Sequence, residues 1–556
     1  WESSASRKRG EISGIVCSLF RASIVTMATR GFDSLWSAAS QESAPNPQGA
    51  AGELIRALAE RLEVEQVQYE KIHDAALFLL DLSPLGFTGF DINVVMVTQP
   101  PRTDEHHQSY TDLLTDYHQR ILKTGGFCFH LVLGPEPIGF DRSISMMTGV
   151  VTLFEGDVTR LFHAPHPDSV MYGLIRNQVP LLDLCPFNTT LPAQGSMFIG
   201  RKLELHRLTT DLRRNFLVSG ARRIGKTSLL QRALSQLRNR RGFRDRAFYF
   251  YARNWNDWRD AARRVAEAIE PKGQMRVELA PRNLTKILDR QSTRRGRPLP
   301  LFLDELDNRV RIDSAADWPF FGILAEAIEA KAIRLVCAGY RDVLRLSRDS
   351  TSPLCQKLED LALAPLAHGE CTELIQRPLE NLGFQLKPRE DVTDHVWLDT
   401  AGYPFMVQFF GKELFDLKAG APGATITHHD IDRIANDSKI IDFIYEHFLE
   451  NTKSGGVGQV AERACCFLLV EQVYRERGGG AAAHLEWDEG TFARVCHQHE
   501  FHLSMDQVHA ALQNLSHSAI LRESGGKYHF AFPLMSRTLK RKFSTLSEAL
   551  RMLRGV

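Results

Sequence analysis

Gly220-Ala221-Arg222-Arg223-Ile224-Gly225-Lys226-Thr227-Ser228 decides the fold class of this 556-residue chain. The stretch fits G-x-x-x-x-G-K-[ST]. An apolar run, Asn215 to Ser219, precedes it, and a helical pattern, Ser228 to Leu234, follows. Strand, glycine loop and helix is the context in which this motif binds a nucleoside triphosphate. The glycines let the backbone turn so that successive N–H groups converge on phosphate oxygens. The helix start adds its positive dipole end. On this reading Gly220, Ala221, Arg222, Arg223, Ile224, Gly225 and Ser228 form the cradle. Lys226 reaches the β and γ phosphates, and the Thr227 hydroxyl ligates Mg²⁺.

A phosphate loop needs an acidic partner, and Pro300-Leu301-Phe302-Leu303-Asp304-Glu305 supplies one: an apolar strand ending in two carboxylates. Asp304 is placed to hold Mg²⁺ through water, and Glu305 to polarise the attacking water. Asp307 extends the acidic cluster, either supporting the pair from behind or standing as a solvated turn residue, the reading preferred here. A third strand, Ala332 to Arg341, stays apolar until its carboxyl end, where ligands bind in open parallel sheets. Tyr340 and Arg341 are thereby expected near the γ-phosphate, with Arg341 sensing phosphate or meeting transition-state charge. The alternative is an arginine that leaves the strand to meet solvent or an acidic neighbour.

Together these segments resemble the signal-transduction (STAND-like) branch of the P-loop ATPases, close to the archaeal-type ATPases and the origin-recognition AAA+ proteins. Four stretches carry the likeness. Met197-Phe198-Ile199-Gly200-Arg201-Lys202-Leu203-Glu204-Leu205 is similar to the F-x-G-R-x-x-E-L segment that lies beside the adenine. Ser219 to Leu230 is similar to G-x-R-R-x-G-K-T-S-L-L. Leu303-Asp304-Glu305-Leu306-Asp307 matches the acidic strand. Ala401-Gly402-Tyr403-Pro404-Phe405-Met406-Val407-Gln408 resembles the G-x-P-x-x-x-Q motif of a helical lid, whose proline side packs on the nucleotide. The resemblance spans about residues 195–545. It implies ATP with Mg²⁺, and Phe198, Gly200, Arg201 and Pro404 as nucleotide contacts. Arg377, in the lid region, reads as a surface residue.

Composition leaves little room for other classes. Hydrophobic content is 43%, charged content 24% and net charge +1, so no whole-chain field draws the protein to nucleic acid or membrane. The nine cysteines show no paired metal-ligand spacing, which fits a reduced, cytoplasmic setting. Residues 1–26 read as upstream translation or a disordered extension, and 38–52 as a linker. Helical spacing is expected from Gly52 to about Leu80. Strands are expected at 90–97, 127–133 and 150–154, with helices near 110–123 and 168–177. His106-His107 and His163-Ala164-Pro165-His166 read as surface loops, because no acidic partner lies at useful spacing. No Glu-x-Lys follows Asp91 on the next strand, so a nuclease centre is not expected.

Beyond about 440 the chain reads as helices and then a winged helix. Ser504 to Leu515 is the recognition-helix position and Ala519 to Phe530 the wing. That helix offers Gln507, His509, Gln513 and Asn514 but no arginine or lysine, and phosphate-binding charge is thin until Arg537, Lys540, Arg541 and Lys542. An internal switch module is the reading preferred over a DNA reader. The fold class is thus α/β: a disordered or upstream extension (1–50), an N-terminal α/β sensor or adaptor domain (51–190), a P-loop ATPase core (195–350), a helical lid (351–440) and a winged-helix domain (441–556). The functional expectation is an ATP-dependent molecular switch, with homo-oligomerisation or a protein partner at the N-terminal domain as outputs. The rivals are a DNA-loading ATPase and a non-hydrolysing nucleotide-dependent scaffold.

Overall fold

A computed structural model of the protein describes residues 32–46, 48–62, 64–72, 75–81, 93–99, 128–136, 150–238, 240, 243, 246–270, 281–296, 298–421, 423–444, 457–477, 487–517 and 520–542. Residues 1–26, the expected helix at 110–123 and His106-His107 lie outside these. Two five-stranded sheets dominate what is described.

The first sheet holds β1 (Glu65–Ile72), β2 (Ala75–Asp81), β3 (Asn93–Thr98), β4 (Cys128–Val132) and β5 (Val150–Leu153), side by side in chain order. β1, β2 and β3 are antiparallel, and β3, β4 and β5 parallel. The expected helix from Gly52 to Leu80 therefore stops at Arg61, and residues 65–81 form a hairpin. Gln66-Val67-Gln68-Tyr69 alternates with period two, which a strand satisfies and a helix does not. Nor is 38–52 a linker. Residues 32–41 and Ala50–Arg61 are helical, and Phe32, Trp36 and Ala39, spaced four and three apart, are buried. The Phe32 ring lies 4.4 Å from that of Phe162. The Glu42 carboxylate accepts from the Asn46 and Ala50 N–H groups at 2.9 and 2.7 Å, so the polar turn between these helices has a cap of its own.

The second sheet holds β6 (Asn215–Ser219), β7 (Phe248–Tyr251), β8 (Leu299–Asp304), β9 (Ile333–Ala338) and β10 (Leu358–Ala362). All pair in parallel, in the order β10-β6-β9-β8-β7. Burial on both faces explains their nearly continuous apolar runs: every residue of β8 and β9 is buried. From β6 the chain crosses to the far edge, works back through β8 and β9, and then passes over β6 to β10. Such a reversal opens a crevice outside the carboxyl ends of the strands. The helix Lys226–Arg238 packs on this sheet through Leu229, Leu230, Ala233, Leu234 and Leu237, one stripe at helical spacing.

Helices His368–Asn381, Arg389–Thr400 and Pro404–Lys418 follow, with a short parallel pair, β11 (Gln385–Leu386) and β12 (Thr425–Ile426). Past residue 457 come helices Val457–Arg477, Glu489–Gln498 and Met505–His517, the hairpin β13 (Leu521–Ser524) and β14 (Lys527–Phe530), and the helix Pro533–Lys542. The hairpin turns on Gly525 and Gly526, at φ 60° and 77°. A type I′ two-residue loop has positive φ at both positions, so Gly-Gly is the local reason for the turn. The N-terminal part rests on the helices after β10: Arg377 pairs with Asp168, and Arg176 Nη1 donates to Asn381 O at 3.5 Å. Arg377 is thus a bridge between elements, not a lone surface charge.

Candidate functional site

The phosphate loop leaves β6 at Gly220, where φ is +146° and an added Cβ would lie 3.1 Å from Leu363 O. Gly225, at φ +98°, completes the turn into the helix, and Arg223 holds φ 62° between them. The loop and the segments facing it line a cavity of 320 Å³, whose walls include Phe198, Arg201, Lys226, Thr227, Glu305 and Pro404. Sequence-expected groups from four separate stretches therefore converge. Gly200 does not line this cavity. Its hydrogen faces Glu370, whose Oε1 would lie 2.6 Å from an added Cβ, so the glycine is required by helix packing.

Lys226 is buried, and its Nζ donates to Gly220 O and Ala221 O, both at 2.9 Å. Burial pulls its pKa below the usual lysine value, while Glu305, Asp307 and Asp304 act to restore it. Ser228 also lines the cavity, its Oγ accepting from Ala193 N at 2.9 Å. The guanidinium of Arg201 donates to Ile224 O at 3.3 Å and to Ala364 O, stitching the loop to the chain after β10. Arg223 lies over the Phe405 ring at 4.1 Å and donates to Thr189 O at 3.2 Å. The Tyr403 hydroxyl donates to Arg222 O, and its ring stacks on Phe532 at 6.0 Å. One lid tyrosine thus touches both the phosphate loop and the C-terminal region.

Asp304 closes β8 fully buried. Its Oδ2 accepts from the Tyr249 hydroxyl at 2.9 Å and its Oδ1 from the Glu305 N–H at 2.9 Å. That second bond holds Glu305 at φ 55°, a left-handed conformation that costs an L-residue roughly 1–2 kcal/mol. Burial first, and the Asp304 charge second, push the Glu305 carboxyl above its ordinary pKa. A carboxylate displaced toward neutrality is suited to proton transfer.

Two expectations change here. Asp307 is no solvated turn residue: its carboxylate accepts from the N–H groups of Tyr340 and Arg341, both at 2.6 Å, and of Val343 at 3.3 Å. It caps the turn after β9, where Gly339 leaves room for it, since an added Cβ would lie 2.8 Å from Asp307 Oδ2. Arg341 does not line the cavity. Its Nη2 donates to Asn514 O at 2.8 Å and its Nη1 lies 3.7 Å from Glu462 Oε1, a nearly fully buried carboxylate. Leaving the strand for an acidic neighbour was the alternative for this arginine, and that neighbour lies in another part of the chain. Tyr340 stays between, with Lys226 Nζ 5.9 Å and Arg341 Cζ 4.9 Å from its ring centroid.

Sequence reasoning missed Tyr249, Arg253 and the run Asn188–Ala193, all of which touch the acidic strand or line the cavity. The run was left in a boundary between domains, yet Asn188 N donates to Gln408 Oε1 at 3.3 Å, and Phe187 fills the notch over Gly411, where an added Cβ would be 2.3 Å from its ring. The Phe187 aromatic was the available signal.

The model of the Novel STAND NTPase 1 family matches residues 182–433. Over this segment the chain is similar to that family. The first matched residue falls just before the Asn188–Ala193 run, so the matched segment includes that wall of the cavity. No curated protein matches the chain. Among solved structures, the Walker-type ATPase PABY2304 of Pyrococcus abyssi is 16% identical, over 62% of this chain and 96% of its own, with a TM-score of 0.45. The ORC2 protein of Aeropyrum pernix, in its ADPNP–ADP complexes, is 13% identical over 62% and 95%, with a TM-score of 0.44. The ORC1 protein of the same organism, in complex with DNA, is 15% identical over 64% and 94%, with a TM-score of 0.33. Among the described residues, no helix is long and apolar enough to cross a membrane and no cluster of three or more His, Cys, Asp or Glu is fit for a metal.

Proposed function

We propose that the protein is an ATP-hydrolysing switch whose nucleotide state is passed to the C-terminal helices through the turn that carries Tyr340 and Arg341. The single observation that supports it best is the position of Arg341. This residue follows the strand next to the phosphate loop, its backbone is capped by an acidic residue two positions from Glu305, and its guanidinium engages Asn514 O at 2.8 Å. A shift at the acidic strand end has a short, packed route to the helix Met505–His517.

The chemistry follows from the cavity. Lys226 exchanges two loop carbonyls for phosphate oxygens, and the ammonium, partly desolvated, gains from that charge. Phe198 and Pro404 flank the base. Thr227 hydroxyl and Asp304 carboxylate are hard oxygen donors suited to Mg²⁺, which keeps several waters and takes one or two carboxylates beside phosphate, so no protein-only cage is needed. When bound, the ion neutralises charge on the β and γ oxygens. Glu305 orients water. As the water oxygen bonds to the γ phosphorus, the bond to the bridging oxygen breaks with its electron pair left on ADP, and the proton passes to Glu305.

The C-terminal elements fit an internal winged-helix module better than a DNA reader. His509 Nδ1 pairs with Glu489 at 2.7 Å, Gln513 bonds His509 at 2.8 Å, and Gln507 Oε1 accepts from Ser504 N at 2.8 Å. Arg537 pairs with Asp399, and Arg541 Nη1 donates to Asn436 O at 3.0 Å. These are some of the groups that groove or phosphate contacts would use, and they are engaged within the chain. Backbone hydrogen exchange over 505–517, measured with ADP and with a non-hydrolysable ATP analogue, tests the switch. Different protection in the two states is expected, and the difference should vanish in Arg341→Ala; identical protection in wild type overturns the reading. Tight, steeply salt-dependent binding to duplex DNA would favour the DNA-loading alternative instead.

A further inference from the structure

With Arg341 committed to Asn514 and Glu462, the terminal-phosphate end of the cavity needs another cation besides Lys226. We propose that Arg253 is the arginine that grips the terminal phosphate of the bound nucleotide. The inference rests on the ATP reading above.

Three observations converge on it. β7 pairs with β8 so that Tyr251 stands opposite Asp304, and the Ala252 N–H donates to Asp304 O at 2.8 Å. The turn bearing Arg253 is therefore fastened to the carboxyl end of the acidic strand, level with Glu305. Arg253 lines the 320 Å³ cavity together with Lys226, Thr227 and Glu305. Its guanidinium is exposed and, among the described residues, makes no hydrogen bond or ion pair, while its charge acts on Glu305 and counters the upward push of burial. The other arginines at the cavity are differently disposed. Arg201 and Arg223 are tied to backbone carbonyls, and Arg222, which also lines the cavity, sits on the loop itself, where its charge acts on Lys226 as well as on Arg223 and Tyr403; among the causes that shift Glu305, the one arginine is Arg253.

The chemistry suits the position. A guanidinium presents two parallel donors in a fixed planar fork that matches two oxygens of one phosphoryl group, a geometry that a freely rotating ammonium does not impose. Beside Glu305 it has a second effect: it favours the ionised carboxylate that orients water. Arg253 is supplied by the same chain, so the site needs no arginine from a neighbour to meet the charge on the γ oxygens.

The test is a pair of affinities on the full chain, for ADP and for a non-hydrolysable ATP analogue, both with Mg²⁺. Arg253→Ala is expected to weaken the analogue on the order of tenfold or more while ADP stays within about twofold, the signature of a lost contact to the third phosphate alone. Arg253→Lys should recover part of the preference, because charge returns without the fork. Arg341→Ala should keep it. Unchanged affinities in Arg253→Ala, equal losses for both nucleotides, or loss of the preference in Arg341→Ala would each overturn the proposal. Wild-type protein that binds neither nucleotide would instead sink the ATP reading of the site and the inference with it.

Discussion

The two five-stranded sheets make an instructive pair. The N-terminal sheet runs β1 to β5 in simple chain order, whereas the second runs β10-β6-β9-β8-β7. Strand number and the presence of parallel pairs do not distinguish them; the direction of the connections does. In the first sheet each strand is laid beside the last, and the strand order never reverses. In the second, β6 sends its chain one way and β9 sends it back across, and between them the loops part. Buried polar groups follow the same division. In the first sheet two such contacts stand far from any phosphate loop: Thr98 Oγ1 and His130 Nε2 are 2.7 Å apart, and Gln178 bonds both backbone groups of Thr152, at 2.9 and 3.1 Å. In the second sheet Lys226 and Glu305 have pKa values displaced toward neutrality beside a cavity.

If that contrast is sound, changes at one sheet should alter chemistry and changes at the other only stability. The largest effect is expected from Glu305→Gln, a turnover loss of about 10²–10⁴-fold with nucleotide affinity retained, read by phosphate release beside titration calorimetry. The same residue sets a pH signature. Because the Glu305 carboxyl is raised above its ordinary value, the active ionised form is lost as pH falls through that raised value, so the acid limb of the rate profile should begin above the usual carboxylate range. A limb at the ordinary glutamate position would contradict the burial argument. Next comes Lys226→Ala, which removes charge-assisted contacts and should weaken ATP roughly 10–100-fold by calorimetry. Gln178→Ala should leave nucleotide affinity alone and cost about 1–3 kcal/mol in urea unfolding, since it strands the Thr152 backbone groups in the interior. Should Gln178→Ala abolish ATP binding while the fold persists, the division between sheets fails. The smallest effect belongs to Tyr249→Phe. Removing one hydroxyl from Asp304 should cost about 1 kcal/mol, seen as a roughly fivefold rise in the Mg²⁺ needed for half-maximal turnover.

The second sheet was far more legible in the sequence than the first. Its strands are buried on both faces and read as unbroken apolar runs, and its loop carries a motif whose glycines answer to measurable φ angles. The first sheet hid its opening hairpin, because a half-polar strand such as Glu65–Ile72 follows a true helix without a glycine or proline to mark the change. Within the site, residues bound to local pattern were found and those bound to distance were not. Lys226, Thr227, Asp304 and Glu305 belong to motifs. The partners of Arg341 lie more than a hundred positions away, at Glu462 and Asn514, and Tyr249 reaches Asp304 only through the pairing of β7 with β8. A side chain at the end of a strand has its position written locally and its direction written by whatever packs above it.

The contact between Phe187 and Gly411 bears on how the chain is made. During synthesis Phe187 leaves the ribosome long before Gly411 exists, and its aromatic ring has no notch to fill until the helix Pro404–Lys418 has emerged. The Asn188–Ala193 wall of the cavity is then among the last parts to gain its final support, as non-local contacts close late. Chains that terminate before residue 411 would carry an intact phosphate-loop sequence together with an uncovered aromatic segment. Such fragments expose a surface prone to association, whereas a chain that extends through the helix Pro404–Lys418 covers the Phe187 ring.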